Sequence, residues 1–210
     1  MPLKVVIADD HPLILQALAT TLEGEGIEVV AQAADGEAAW QAVSKWRPDV
    51  VVLDLKMPGR NGVEVARAVK HAGLPTRVVL LSYFLESYLA ERAAEFGVHG
   101  YLLKENPPEV ILHAVREVAA GETVIDARIE RTVAEQLSPI RNALATLTPT
   151  ERKLLLLVAA GKTTREIAGL AFVSARTVEK HRANIAVKLA AVRKDLGLAE
   201  WAVANRRLLE

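Results

Sequence analysis

The sequence predicts two domains: an α/β domain built on a five-stranded doubly wound parallel sheet, then a small all-α helix-turn-helix domain. Three observations carry that prediction. Over residues 1–125, five short apolar runs alternate with helical patterns, as a parallel sheet with crossover helices requires. One run, Val50-Val51-Val52-Leu53, is apolar on both faces and ends in Asp54, which suits a central strand buried on both sides. Beyond residue 147 the strand pattern stops and a series of capped helical segments begins. At 210 residues the chain is long enough for two cores.

The elements follow in order. Lys4–Ala8 reads as the first strand, and a helix runs from near Pro12, a good first-turn residue, to Leu22. After the turn signals Gly24 and Gly26, Ile27–Ala31 is the second strand. Asp35 can cap a helix to about Trp46, and Val50–Leu53 is the third strand. Asn61-Gly62 opens a helix to about His71. Arg77–Leu81 is the fourth strand, followed by a helix that reaches Phe96 and stops at Gly97. Gly100–Lys104 is the fifth strand, and a last helix runs from Pro107 or Pro108 to Ala120, closed by Gly121. Residues 122–146 read as a linker, partly helical, broken at Ser138-Pro139. In residues 147–210, Thr148-Pro149-Thr150-Glu151 starts a helix to Ala160, Thr163 opens a short one to about Phe172, and Ser174 caps a third to Leu189.

The totals narrow the function. There is no cysteine, so neither disulfides nor thiolate metal sites are possible. No stretch reaches membrane-spanning length, and the start carries two acids early, which does not suit a signal peptide; the expectation is a cytoplasmic protein. The net charge of zero conceals an asymmetry of −6 over residues 1–125 and +6 over residues 147–210. A basic second domain suits a polyanion, although two solvated surfaces of opposite sign would give the same totals. No Gly-x-Gly-x-x-Gly follows the first strand, which argues against a dinucleotide site.

The polar residues at strand ends point to chemistry. The first strand ends in Asp9-Asp10, the third in Asp54, the fourth in Ser82 and the fifth in Lys104. In a parallel sheet these ends share one edge, where ligands of open α/β folds bind. Taken alone, Asp54 could as well cap a turn before Pro58. Three carboxylates together repel unless a cation neutralises them, and an oxygen donor set of that charge suits Mg²⁺. A hydroxyl and an ammonium beside them can hold phosphoryl oxygens. The set fits a carboxylate nucleophile that attacks a phosphoryl group with metal help.

Asp9-Asp10-His11-Pro12, Asp54-Leu55-Lys56-Met57-Pro58 with Gly62, Ser82 and Tyr101-Leu102-Leu103-Lys104 resemble the flavodoxin-like receiver domain of response regulators. The resemblance covers about residues 3–120, within a domain bounded at 1–121. It implies that Asp54 accepts a phosphoryl group from a sensor histidine kinase. Asp10 would bind Mg²⁺ directly, Asp9 mainly through water, and Lys56 through its backbone carbonyl. Ser82 and Lys104 would hold phosphoryl oxygens, and Tyr101 would be an aromatic switch. Such a domain is no enzyme acting on a separate substrate, but it assists its own phosphorylation and dephosphorylation. One position departs from the common pattern: Tyr83 follows Ser82, where receivers usually carry something small. Tyr83, with Phe84 and Lys56, is expected to set how freely water reaches the phosphoryl group, unless Tyr83 packs outward on the next helix.

On a wheel centred on Val178, Ile185 and Leu189 fall within about 20° of it, so that face of the third helix is core. Arg176, Lys180, Ala183 and Val187 lie opposite, flanked by Thr177, Glu179 and Asn184, a mixture that suits a helix in the major groove. The residues from Leu147 to Arg152, Glu166-Ile167-Ala168, Thr177-Val178-Glu179-Lys180-His181 and Lys188-Leu189 resemble the LuxR-type DNA-binding domain. With the receiver they make the chain similar to a NarL/FixJ-type response regulator. That resemblance implies base contacts from Glu179, Lys180 and Ala183, and phosphate contacts from Thr177, Asn184 and Lys188 of a double-stranded DNA partner. Val187 stands where the family often has a basic residue. A final helix over Leu196–Arg207 puts Leu198, Trp201, Ala202 and Asn205 at helical spacing. They suit either a homodimer contact or core packing. Two alternatives stay open: a regulator that binds DNA without phosphorylation, and an aspartate-nucleophile phosphatase. The phosphatase fits less well, because Lys56 stands where its second acid is needed.

Overall fold

The computed structural model describes residues 2–83, 89–90 and 92–209. The chain divides into two compact units, Met1–Val133 and Ala134–Glu210.

The first unit contains β1 (Lys4–Ala8), α1 (Pro12–Gly24), β2 (Glu28–Ala33), α2 (Gly36–Trp46), β3 (Val50–Asp54), α3 (Gly62–His71), β4 (Arg77–Ser82), α4 (Ala93–Phe96), β5 (Gly100–Leu103), α5 (Pro108–Ala120) and β6 (Val124–Ile125). The start of α6 (Ala127–Ala145) completes it. Every strand pairing is parallel, and the spatial order is β2-β1-β3-β4-β5-β6. Period-two alternation along β3 divides its side chains between two cores. Val51 and Leu53 pack with α2, α3, α4 and Ile129 of α6; Val50 and Val52 pack with α1 and α5. This is why the run needs no polar position: both faces are covered.

Local chemistry sets the helix starts. Asp35 accepts a hydrogen bond from the Ala38 N–H at 2.7 Å. Asn61 and Glu64 exchange two bonds of 2.9 Å in a capping box.

The sheet has six strands where five were expected. The sixth, Val124–Ile125, pairs with Gly100 and Tyr101 inside what reads as linker. Two residues are too few for a periodic signal, but both are β-branched and extend the ladder by one strand. The expected break at Ser138-Pro139 also does not occur, because α6 continues through Pro139. Its apolar residues keep helical spacing on both sides of the proline: Ile129 is buried in the first unit's core and Leu144 in the second's. An interior proline costs roughly 3 kcal/mol, and the burial of these apolar residues works against that cost.

The second unit holds the remainder of α6 with α7 (Pro149–Ala159), α8 (Thr164–Ala171), α9 (Ala175–Lys188), α10 (Ala190–Arg193), α11 (Leu198–Ala204) and α12 (Arg206–Leu209). Helices α7 and α8 begin with Thr/Glu capping boxes at Thr148 and Thr163, and Ser174 caps α9. The core joins Leu155, Ile167, Val178, Ile185, Leu189 and Trp201. The expected single final helix over Leu196–Arg207 is split into α11 and α12 at Asn205, whose side chain donates to the Trp201 carbonyl at 2.9 Å, and the connection before it holds the short α10. No helix among the described residues is long and apolar enough to cross a membrane.

Candidate functional site

The parallel sheet delivers Asp9, Asp54, Ser82 and Lys104 to its C-terminal edge. Because β1 and β3 are neighbours, Asp9 and Asp54 lie side by side at the point where the strand order reverses. Both carboxylates are buried, and so is Ser82. The Lys104 side chain is 1% exposed, and its Nζ lies 2.6 Å from Asp9 Oδ2 and 2.8 Å from Asp54 Oδ2. The Lys56 N–H donates to Asp54 Oδ1 at 3.2 Å, and Lys56 itself is exposed. Burial pushes the Asp54 carboxyl up; the Lys104 ammonium and the Lys56 N–H oppose that shift. Lys104 therefore helps keep Asp54 ionised.

His11 belongs to this cluster, a role that the sequence reading did not give it. Its N–H donates to Asp9 Oδ1 at 2.9 Å, and its Nδ1 lies 3.1 Å from Asp9 Oδ1 and 2.7 Å from Asp10 Oδ1. The available signal was only its place directly after two acids. Asp9, Asp10, His11 and Asp54 each offer one ligand atom, all within 4.8 Å of one another. Three carboxylates facing one ammonium leave an excess of negative charge on an oxygen-rich donor set. That donor set could hold a metal ion, and its chemistry suits a hard divalent one.

Two glycines let the loops close on the site. A Cβ on Gly62 would stand 2.5 Å from the Asp54 carbonyl oxygen, and one on Gly36 would stand 1.8 Å from the Arg60 carbonyl oxygen. Tyr83 lies across the mouth. It is 50% exposed, its ring centroid is 5.1 Å from Lys104 Nζ, and its ring meets that of His11 edge-on at 6.4 Å. Tyr83 is thus turned toward the site rather than away from it. Phe84 lies outside the described residues. Tyr101 is fully buried among the residues of β3, β4 and α3.

In the second unit, α8, a tight turn and α9 follow one another. Val178, Ile185 and Leu189 are fully buried, while Arg176, Glu179, Lys180, Ala183, Asn184 and Val187 are exposed along the opposite side. Thr177 is half-buried and hydrogen-bonded to Ser174. Lys188, which the resemblance assigns to a phosphate, makes bonds within the domain. Its Nζ donates to Glu151 at 2.7 Å and to the Thr146 carbonyl at 3.0 Å, tying α9 to the start of α7. The Lys188 bond and the Thr148 N–H hold the Glu151 carboxyl down at about 2. Of the residues considered for a dimer contact, Trp201 and Ala202 are core residues. The Trp201 indole donates to the Val192 carbonyl at 3.2 Å, and Ala202 is fully buried. Leu198 packs partly against the same core.

Known proteins agree with this architecture. A family model described as the response regulator receiver domain matches residues 5–116, and one described as bacterial regulatory proteins of the luxR family matches residues 145–201. The oxygen regulatory protein NreC of Staphylococcus epidermidis is 34% identical over 219 residues, covering 99% of this chain and 100% of that protein. A solved LuxR-family two-component response regulator from Aurantimonas sp. SI85-9A1 is 29% identical with a TM-score of 0.61, covering 65% of this chain and 98% of that one. The response regulator ChrA of a heme-sensing two-component system is 31% identical with a TM-score of 0.54, covering 99% and 98%. The chain belongs to the response regulators of the NarL/FixJ type, DNA-binding proteins of two-component systems that join a receiver domain to a LuxR-type helix-turn-helix domain.

Proposed function

We propose that Asp54 is the phosphoacceptor of a sensor histidine kinase, and that its phosphorylation controls dimerisation and DNA binding through residues 147–210. The observation that carries this reading is the buried Asp54 carboxylate, 2.8 Å from Lys104 Nζ and beside Asp9 and Asp10. A carboxylate oxygen of Asp54 attacks phosphorus, the P–N bond to the kinase histidine breaks, and the departing imidazole takes a proton from water. The product is an acyl phosphate. Lys104 and the Ser82 hydroxyl bind its phosphoryl oxygens, where a fixed ammonium opposes the developing charge. In hydrolysis, a water oxygen forms the new bond to phosphorus and the acyl P–O bond breaks, returning the electrons to the Asp54 carboxylate.

Asp10 and Asp54, with Asp9 through water and the Lys56 carbonyl, would hold Mg²⁺, which when bound neutralises carboxylate and phosphoryl charge. The half-exposed Tyr83 ring, with Lys56, restricts water at the mouth. Tyr101 responds to movement of Ser82. Arg176, Glu179, Lys180, Ala183 and Asn184 face the major groove and its flanking phosphates. Residues 1–121 act as the receiver and 122–146 as the connection.

The test is incubation with acetyl phosphate and Mg²⁺, followed by resolution of phosphorylated species and footprinting on DNA. The expected result is an adduct on wild type, none on Asp54→Asn, and stronger DNA protection with the adduct. DNA binding without any adduct would overturn the reading.

A further inference from the structure

We propose that Asp126 and Arg128 form a clasp that positions the Lys104 loop and makes the first turns of α6 respond to the phosphorylation state of Asp54. This rests on the phosphoacceptor reading above. Asp126 follows β6, and its N–H donates to the Tyr101 carbonyl at 2.9 Å, continuing the ladder beside β5. Its carboxylate accepts Asn106 Nδ2 at 2.7 Å and the Leu103 N–H at 3.5 Å. Those two donors bracket Lys104.

Arg128 closes the clasp from α6. Its Nε and Nη2 donate to the two Asp126 oxygens at 3.1 and 2.9 Å, and Nη2 also donates to Asn106 Oδ1 at 2.7 Å. Nη1 reaches Glu105 at 3.4 Å, and the Arg128 N–H donates to Asp126 Oδ1 at 2.9 Å. Asp126 is only 9% exposed. Burial opposes its ionisation, yet the bonds from Arg128 and Asn106 hold its carboxyl well below the usual range. A planar guanidinium can make this set of bonds, whereas an ammonium cannot.

The link is short. Lys104 is buried with its Nζ against Asp9 and Asp54, and its immediate neighbours Leu103, Glu105 and Asn106 are held by Asp126 and Arg128. A phosphoryl group on Asp54 adds charge that draws Lys104. Any resulting shift of residues 103–106 must either break the clasp or carry the start of α6 with it.

The test uses the full chain as wild type, Asp54→Asn, Arg128→Ala and Arg128→Lys, with acetyl phosphate and Mg²⁺ as the probe. Adduct formation is followed by intact mass, and amide hydrogen exchange is measured over residues 127–133. In wild type, phosphorylation should change exchange there at least about threefold, a difference well within the range of local opening equilibria, and Asp54→Asn should show no change. Arg128→Ala removes every bond of the guanidinium and should raise basal exchange at least about tenfold, the factor that a single charge-assisted hydrogen bond carries, and abolish the response to phosphorylation. Arg128→Lys keeps the charge without the fork and should behave like Arg128→Ala. Retention of the wild-type response by either variant, or an adduct on wild type with no change over 127–133, overturns the clasp. Absence of any adduct on wild type overturns the phosphoacceptor reading itself.

Discussion

Gly62→Ala should damage the site without removing any of its polar groups. A Cβ at Gly62 would lie 2.5 Å from the Asp54 carbonyl oxygen and 2.9 Å from Leu80 Cδ2. The leucine methyl can rotate away, but the carbonyl belongs to the end of β3 and is flanked by paired strands. Relief to a contact of about 3.2 Å requires a separation of about 0.7 Å between the start of α3 and the residue that carries the carboxylate. Overpacking of this kind costs roughly 1–3 kcal/mol. Alanine recovers up to about 1 kcal/mol in backbone entropy, so the net loss should be about 1–2 kcal/mol. The geometric effect is larger, because displacing a reacting group by about 1 Å can slow a reaction as much as about 100-fold. Urea denaturation gives the first quantity, and the rate of adduct formation with acetyl phosphate gives the second. A variant with wild-type stability and wild-type rate would refute the close-packing argument, since either α3 or β3 would have to yield at no cost.

Three further outcomes follow from other parts of the chain. Tyr83→Ala should speed loss of the phosphoryl group by roughly tenfold, the factor carried by about 1.4 kcal/mol of barrier. Release of inorganic phosphate from the purified adduct measures this, and an unchanged rate would mean that the ring does not limit water. Lys188→Met should cost about 1–2 kcal/mol, less than a fully buried pair because the lysine side chain is one-third exposed. That contribution is complete above pH 4.5, the ordinary value for Glu151, and is lost as pH falls toward 2, so wild type and variant should converge in acid denaturation curves. His99 accepts the Val78 N–H at Nδ1, 3.1 Å away, and burial together with the Arg77 charge lowers its pKa from 6.5. The unfolded chain therefore binds the extra proton more readily, and stability falls as pH drops below 6.5. His99→Asn should flatten that slope in melting temperature against pH.

The receiver site was legible because its residues mark strand ends. Val50–Leu53 announces a strand with two buried faces, and an acid directly after it can only stand at the sheet edge. The outward face of α9 was legible for a similar reason: Val178, Ile185 and Leu189 repeat with the helical period. The bond from Lys188 to Glu151 was not legible, because the resemblance that assigns Lys188 to a phosphate says nothing about a partner within the chain, and Glu151 lies 37 residues away. Trp201 and Ala202 were ambiguous because a stripe of apolar residues fits a core and a dimer face equally well. His11 and the Asp126–Arg128 pair were missed for a different reason. Each takes its meaning from neighbours that only the folded sheet supplies, and a two-residue strand leaves almost no trace in hydrophobic periodicity.

Strand order explains why these groups act together. In sequence, β2 separates β1 from β3, but in the sheet it lies outside β1, which leaves Asp9 and Asp54 adjacent. Beyond them the strand ends continue with Ser82 on β4 and Lys104 after β5. Had β2 paired between β1 and β3, Ala33 would have stood at the centre of this row, and Lys104 could not have reached both carboxylates. The sixth strand extends the same row by one position and places Asp126 against the backbone of Leu103, the residue before the lysine. The edge thus alternates charge, with two acids, a lysine and a further acid paired to Arg128. A charge added at Asp54 cannot be accommodated there alone, because Lys104 serves one acid through its ammonium while its neighbours are held by another. The short β6 is therefore the step that brings the chain leaving the receiver into the electrostatics of the site.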